Sequence, residues 1–176
     1  MPVEIERAFV ADRTPDPDLL GPGRRLRQGY VAGEAEVEVR VRIAEDRAEL
    51  TIKGGGGLAR TEVELPLERA EAEALWPLTE GRRIDKTRHR VPLAGEDGLV
   101  AEVDVFAGAL AGLVRIEVEF PSKAEAHAFE PPAWFGREVT DEKAWSNAQL
   151  ARHGRPDRPS GGAGGGAAPY PDAPRG

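Results

Sequence analysis

Ala35-Glu36-Val37-Glu38-Val39-Arg40-Val41-Arg42-Ile43 alternates apolar and charged side chains without interruption. A strand turns successive side chains to opposite faces, so this period of two marks a half-buried β-strand and not a helix. Val37, Val39, Val41 and Ile43 share one face, and Glu36, Glu38, Arg40 and Arg42 share the other. The same period returns over residues 3–10, 26–31, 48–53, 58–65, 84–93, 99–106 and 114–120. Eight such segments, punctuated by turns such as Gly95-Glu96-Asp97-Gly98, argue for an antiparallel barrel or sandwich with few helices.

The polar faces are unusual. A solvent-facing strand mixes Thr, Ser, Gln and Lys, whereas these faces are almost wholly ionised. Same-sign pairs recur two residues apart: Glu4/Glu6, Arg40/Arg42, Glu62/Glu64, Arg88/Arg90, Glu102/Asp104 and Glu117/Glu119. Each pair has an electrostatic cost unless opposite charge lies beside it. A sandwich with a wet outer face is the plain reading of alternation. A closed barrel answers the charge pattern better, because acidic strands then oppose basic ones inside while the apolar faces pack outward under helices. Carboxylates hold metal ions, and Arg and Lys hold polyanions. Together they equip a site for phosphoryl transfer from a compact polyphosphate.

Composition narrows the chemistry. Among 176 residues there is no Cys, and the three His (His89, His127, His153) lack metal-ligand spacing, so a metal must be held by oxygen, as Mg²⁺, Mn²⁺ or Ca²⁺ would be. A formal net charge of −7 argues against nucleic acid as a partner. No apolar run is long enough to span a membrane and the first residues enter a strand directly, so a cytoplasmic protein with no membrane partner is expected. Gly54 to Gly57 lacks the Gly-Lys-Ser/Thr of a phosphate loop and reads as a hairpin connection. Residues 12–23 and 107–112 read as loops. Helices are expected over residues 67–76, stopped by Pro77, over 122–129 behind a Ser122/Glu125 capping box, and from Thr140 to near Gly154. The Pro/Gly/Ala-rich stretch 154–176 has nothing to pack, which leaves one domain over 1–153 and a disordered tail.

Nine short motifs, in order over residues 2–152, resemble the CYTH superfamily, the triphosphate tunnel metalloenzymes. Glu4-Ile5-Glu6-Arg7-Ala8-Phe9 resembles its Glu-x-Glu-x-Lys signature, and Leu26-Arg27-Gln28-Gly29-Tyr30, Glu38-Val39-Arg40-Val41-Arg42 and Lys53 follow. Arg60-Thr61-Glu62-Val63-Glu64, the stretch from Glu80 to Arg88, Glu102-Val103-Asp104, Glu117-Val118-Glu119 and the stretch from Val139 to Asn147 complete the set. The resemblance implies a closed eight-stranded antiparallel β-barrel, mainly β with a few flanking helices, whose lumen binds triphosphate with Mg²⁺ or Mn²⁺. It implies Glu4, Glu6, Glu62, Glu64, Asp104, Glu117 and Glu119 as the acidic, metal-holding set. Arg40, Arg42, Lys53, Arg60, Lys86 and Arg88 would grip substrate, with Glu4, Glu6, Lys86 and Arg88 central to catalysis; Arg27, read as an inward charge on the short strand over residues 26–31, is expected to join the substrate-binding set. A C-terminal helix around Trp145 would plug one mouth.

The activity implied is hydrolysis of inorganic triphosphate to pyrophosphate and phosphate, by a monomer or homodimer. The alternatives are a nucleoside or thiamine triphosphatase, a class IV adenylyl cyclase, or a non-catalytic polyphosphate-binding module. One departure stands out: Ala8 replaces the signature lysine on the Glu4/Glu6 face. Weaker affinity or activity is expected than with Ala8→Lys. His89 faces outward by parity and is expected to be structural.

Overall fold

The computed structural model describes residues 5–32, 37–54, 61–95 and 98–156. In chain order the strands are β1 (Glu6–Val10), β2 (Gly23–Ala32), β3 (Val37–Ala44), β4 (Ala48–Gly54), β5 (Thr61–Leu67), β6 (Arg83–Pro92), β7 (Val100–Phe106), β8 (Val114–Glu119) and β9 (Arg137–Glu138). Helices α1 (Pro17–Leu20), α2 (Arg69–Leu75), α3 (Lys123–Ala128) and α4 (Asn147–His153) are short. All nine strands join one antiparallel sheet in the order β5-β4-β3-β2-β6-β7-β8-β1-β9.

Register keeps the two faces of the sheet distinct, because directly opposed residues point the same way. Lys53 lies between Glu62 and Glu38, Thr51 between Glu64 and Arg40, and Gln28 between Arg42 and Ile84. Asp104 lies between Arg88 and Arg115, and Glu117 between Glu102 and Ala8. The charged positions of eight strands thus share one face, here the inner face. On the outer face Phe9, Val103, Ile116 and Val118 are fully buried beneath Leu20, Ala126, Phe129 and Phe135, and burying each large apolar side chain contributes about 1.5–3 kcal/mol. A second outer cluster packs Val41, Ile43 and Ala48 against Ala72 of α2. Toward β5 the outer cover ends, and Val63 and Leu65 are exposed.

Closure into the expected eight-stranded barrel is not seen among the described residues. Among the described residues the sheet is open, with β5 at one end and β9 at the other. Over Ala8–Val10 the edge of β1 away from β8 is taken by the C-terminal segment. β9 pairs with Phe9 and Val10, Val139 N donates to Ala8 O at 2.7 Å, and Ala8 N donates to Thr140 Oγ1 at 3.1 Å. Gly136 makes the approach possible. It holds φ 75°, and a Cβ there would lie 2.3 Å from Val10 O.

This occupation also moves the last helix. The hydroxyl of Thr140 is committed to Ala8 N and to Glu138, so no helix starts there. A 3₁₀ turn spans Lys143–Trp145, and Ser146 instead caps α4, its Oγ accepting from Gln149 N at 3.3 Å. The Ser122 cap of α3 forms as expected, accepting from Glu125 N. The expected loops contain α1 and a 3₁₀ turn over Gly108–Leu110. His89 does face outward, with Nδ1 3.0 Å from Gly21 O. The tail beyond Pro156 lies outside the described residues. Among the described residues no helix is long and apolar enough to cross a membrane.

Candidate functional site: the charged inner face

The centre of the inner face is an ionic knot built by β6, β7 and β8. Lys86 Nζ donates to Asp104 Oδ2 at 2.6 Å, and Arg88 grips Asp104 through Nε and Nη2, both at 2.7 Å. Arg88 also reaches Glu102 and, at 3.1 Å, Glu117. Lys86 is 0% exposed and Asp104 1%, so neither charge has water to fall back on. Removing one partner of such a buried set costs about 3–5 kcal/mol. Burial pushes the Lys86 ammonium down to about 8, with Asp104 opposing the fall. Burial alone would raise the Asp104 carboxyl, yet Lys86 and Arg88 override it and hold that group well below the carboxylate range. Glu117 is depressed likewise, burial being outweighed by its cationic neighbours, of which Arg115 pulls hardest.

A second basic cluster lies on β3 and β4. Arg40, 8% exposed, donates to Thr51 Oγ1 at 3.0 Å, and Arg42 donates to Glu49 at 2.8 Å. Lys53 meets Glu62 at 2.9 Å. Arg42 has its pKa lowered by burial and then by the like charge of Arg40. The Nε donors of Arg40, Arg42 and Arg115 are buried and find no hydrogen-bond acceptor among the described residues. Buried donors normally find partners, so three on one face are notable.

The far end of the inner face is apolar and covered. Ala8, Val10, Ile84 and Phe106 pack with Val139, Trp145 and Leu150 from the C-terminal segment. Asn147 at the start of α4 accepts from Lys86 at 3.3 Å, and Arg152 lies 5.4 Å over the Tyr30 ring. Tyr30 is 1% exposed, which pushes its hydroxyl up to about 12. The inner-face aromatics are therefore packed, and none of those described offers an open ring for stacking a base.

The residues expected at the site divide as follows. Glu6, Arg40, Arg42, Lys53, Glu62, Glu64, Lys86, Arg88, Asp104, Glu117 and Glu119 all fall on the inner face. Glu4 and Arg60 lie outside the described residues. Arg27 is a correction: it points to the outer face, stacks on Trp76 at 4.3 Å and meets Glu73 at 3.2 Å. The reason is parity, since Leu26, Gln28 and Tyr30 hold the inward positions of β2. Asp104, expected on a metal, has both oxygens committed to Lys86 and Arg88. Glu62 is likewise engaged by Lys53, and Glu64 is exposed on the edge strand. No group of three metal-capable side chains converges among the described residues. Glu6 and Glu119 are direct cross-strand partners, the like-charge pair at the acidic end. Sequence reasoning missed Arg115, Gln28, Thr51 and Asn147. Arg115 and Thr51 share the parity of their charged neighbours, a signal available in the sequence.

No known family profile matches the chain. It is 45% identical over 149 residues to an inorganic triphosphatase of Nitrosomonas europaea, spanning 84% of this chain and 96% of that protein. It is 36% identical over 152 residues to an inorganic triphosphatase of Acetivibrio thermocellus, spanning 85% and 94%. The fold matches the crystal structure of an inorganic triphosphatase with a TM-score of 0.68 at 41% identity, covering 86% of this chain and 96% of that one. A basic cradle, an acidic end and packed aromatics on one face of an antiparallel sheet accompany that kinship, and the chain belongs to the CYTH superfamily of triphosphate tunnel enzymes.

Proposed function

We propose that the chain hydrolyses inorganic triphosphate to pyrophosphate and phosphate on its charged inner face, with Mg²⁺ or Mn²⁺ as cofactor. The observation that carries this reading is the set of buried, acceptor-less guanidinium donors on Arg40, Arg42 and Arg115. A chain of phosphates supplies the oxygens they lack, in charge-assisted bonds. The named relatives support the substrate, and the packing of Tyr30 and Trp145 favours a guest without a base.

The donor chemistry fits a hard divalent cation. Glu6 and Glu119 oppose each other and carry carboxylate oxygens, whereas both oxygens of Glu117 are already met by Arg88 and Arg115. Glu6 and Glu119, joined by Glu4 through the alternation of the first strand, would hold it. Bound there, the cation would neutralise phosphate charge and activate the attacking water. The protein side chains do the rest. Arg40 and Arg42 hold one end of the substrate, with Lys53 extending that wall. Arg88, fixed by Asp104 and Glu102, directs its guanidinium along the face. Lys86 acts at one remove, tying β6 to Asp104 and to Asn147 of α4. Water attacks a terminal phosphorus, the bond to the bridging oxygen breaks, and pyrophosphate leaves.

The test is release of phosphate from tripolyphosphate, ATP and thiamine triphosphate in Mg²⁺ or Mn²⁺, with and without EDTA. Release from tripolyphosphate at least tenfold faster than from the other two, abolished by EDTA, is expected. Equal rates on ATP, cyclic AMP as product, or indifference to EDTA would overturn this reading.

A further inference from the structure

The inner face of β1 carries no cation. Its described inward side chains are Glu6, Ala8 and Val10. Ala8 stands directly opposite Glu117 on β8, so a long basic side chain at position 8 would lie against that carboxylate. A different residue meets Glu117. Arg115, two positions along β8 on the same face, makes the ion pair. It is 5% exposed, with buried Val10 opposite it on β1 and Asp104 on β7. A guanidinium buried this far carries a large desolvation cost unless its charge is used. Only part of it is used internally, because Nε has no acceptor among the described residues. Glu117 meanwhile carries Arg88 as well, which leaves the acidic end of the face to Glu6 and Glu119.

Resting on the triphosphatase reading above, we propose that Arg115 is a substrate-binding residue that supplies from β8 the positive charge missing at position 8. The charge has moved across one strand pairing, with Glu117 as the shared partner of both positions. Arg115 neutralises Glu117 and presents Nε to a phosphate oxygen. The absence of a basic residue at Ala8 is then a relocation of charge and not its loss.

Four proteins test this: the unchanged chain, Arg115→Leu, Ala8→Lys, and the double variant Ala8→Lys/Arg115→Leu. KM and kcat for tripolyphosphate, calorimetric binding of tripolyphosphate and thermal melting are measured for each. Arg115→Leu is expected to raise KM at least tenfold while kcat changes less than threefold. The double variant is expected to return KM to within threefold of the unchanged chain. Ala8→Lys alone should gain less than threefold, because Glu117 is already satisfied. An unchanged KM in Arg115→Leu, a double variant no better than Arg115→Leu, or a tenfold gain from Ala8→Lys alone would overturn the proposal. Should Arg115→Leu melt early, recovery of KM in the double variant still decides, since a merely structural arginine would not be replaced by a lysine on another strand. If the unchanged chain binds tripolyphosphate without releasing phosphate, the hydrolytic reading falls while the binding series still tests Arg115. If it hydrolyses tripolyphosphate but the four proteins behave alike, only the inference about Arg115 falls.

Discussion

Asp104 shows how a single carboxylate holds the inner face together. It accepts from Lys86 and twice from Arg88, and it has essentially no solvent contact. Its native pKa lies far below the unfolded-state value of about 3.9. The folded protein therefore binds fewer protons in acid than the unfolded chain does. The stabilisation is complete above the unfolded value and is lost as pH falls through it toward the native one. Asp104→Asn is expected to cost about 3–5 kcal/mol near neutrality, because it leaves the buried Lys86 ammonium without its carboxylate and Arg88 with only Glu102 and Glu117. Urea unfolding at several pH values would check both halves of the prediction. The unchanged chain should lose stability below about pH 4 along a steeper slope than the variant. Parallel slopes, or a cost near zero at neutrality, would show that the knot is not what it looks to be. The residues of this knot were legible from parity alone, as inward charges on β6 and β7. Their pairing was not, since which acid meets which base depends on strand order.

At the scale of elements, the segment from Gly136 to Thr140 decides how the sheet ends. It binds the edge of β1 through two backbone pairs, the Val139 amide and the Thr140 hydroxyl. Arg7 reinforces the contact, gripping Glu138 through Nε at 2.9 Å and Nη2 at 2.7 Å while lying over the Phe9 and Phe129 rings. Gly136→Ala would force a Cβ onto Val10 O and hold an L-residue in the left-handed region, which costs about 1–2 kcal/mol even without the clash. The variant is expected to lose at least that much stability and to speed exchange of the Val139 amide. Exchange at the unchanged rate would mean that the segment does not depend on the glycine. β9 was invisible in the sequence because two residues carry no period. Thr140-Asp141-Glu142 looks like a helix start for sound local reasons, and a tertiary demand on the Thr140 hydroxyl overrode them. Ser146, one 3₁₀ turn later, took the capping role instead.

At the scale of the molecule, strict alternation set both faces of the sheet, and every one of the eight expected strands is present. What alternation could not supply is the relation between the two ends of the sheet. Mutual satisfaction of opposite charges argued for closure, but across neighbouring strands the same satisfaction is reached without it: Lys53 with Glu62, Arg42 with Glu49, Arg88 with Asp104. The acidic end, where Glu6 faces Glu119 across β1 and β8, is where the proposed cation would sit. Arg27 shows the complementary error, a charge assigned inward on a strand whose inward positions belong to Leu26, Gln28 and Tyr30. The most direct test of the charged inner face as a triphosphate site is a crystal structure of the chain grown with tripolyphosphate and Mn²⁺. The three phosphates should lie along Arg40, Arg42, Arg88 and Arg115, with the metal at Glu6 and Glu119. Phosphate density on the outer face beside Arg27 and Trp76, with the inner face empty, would contradict it.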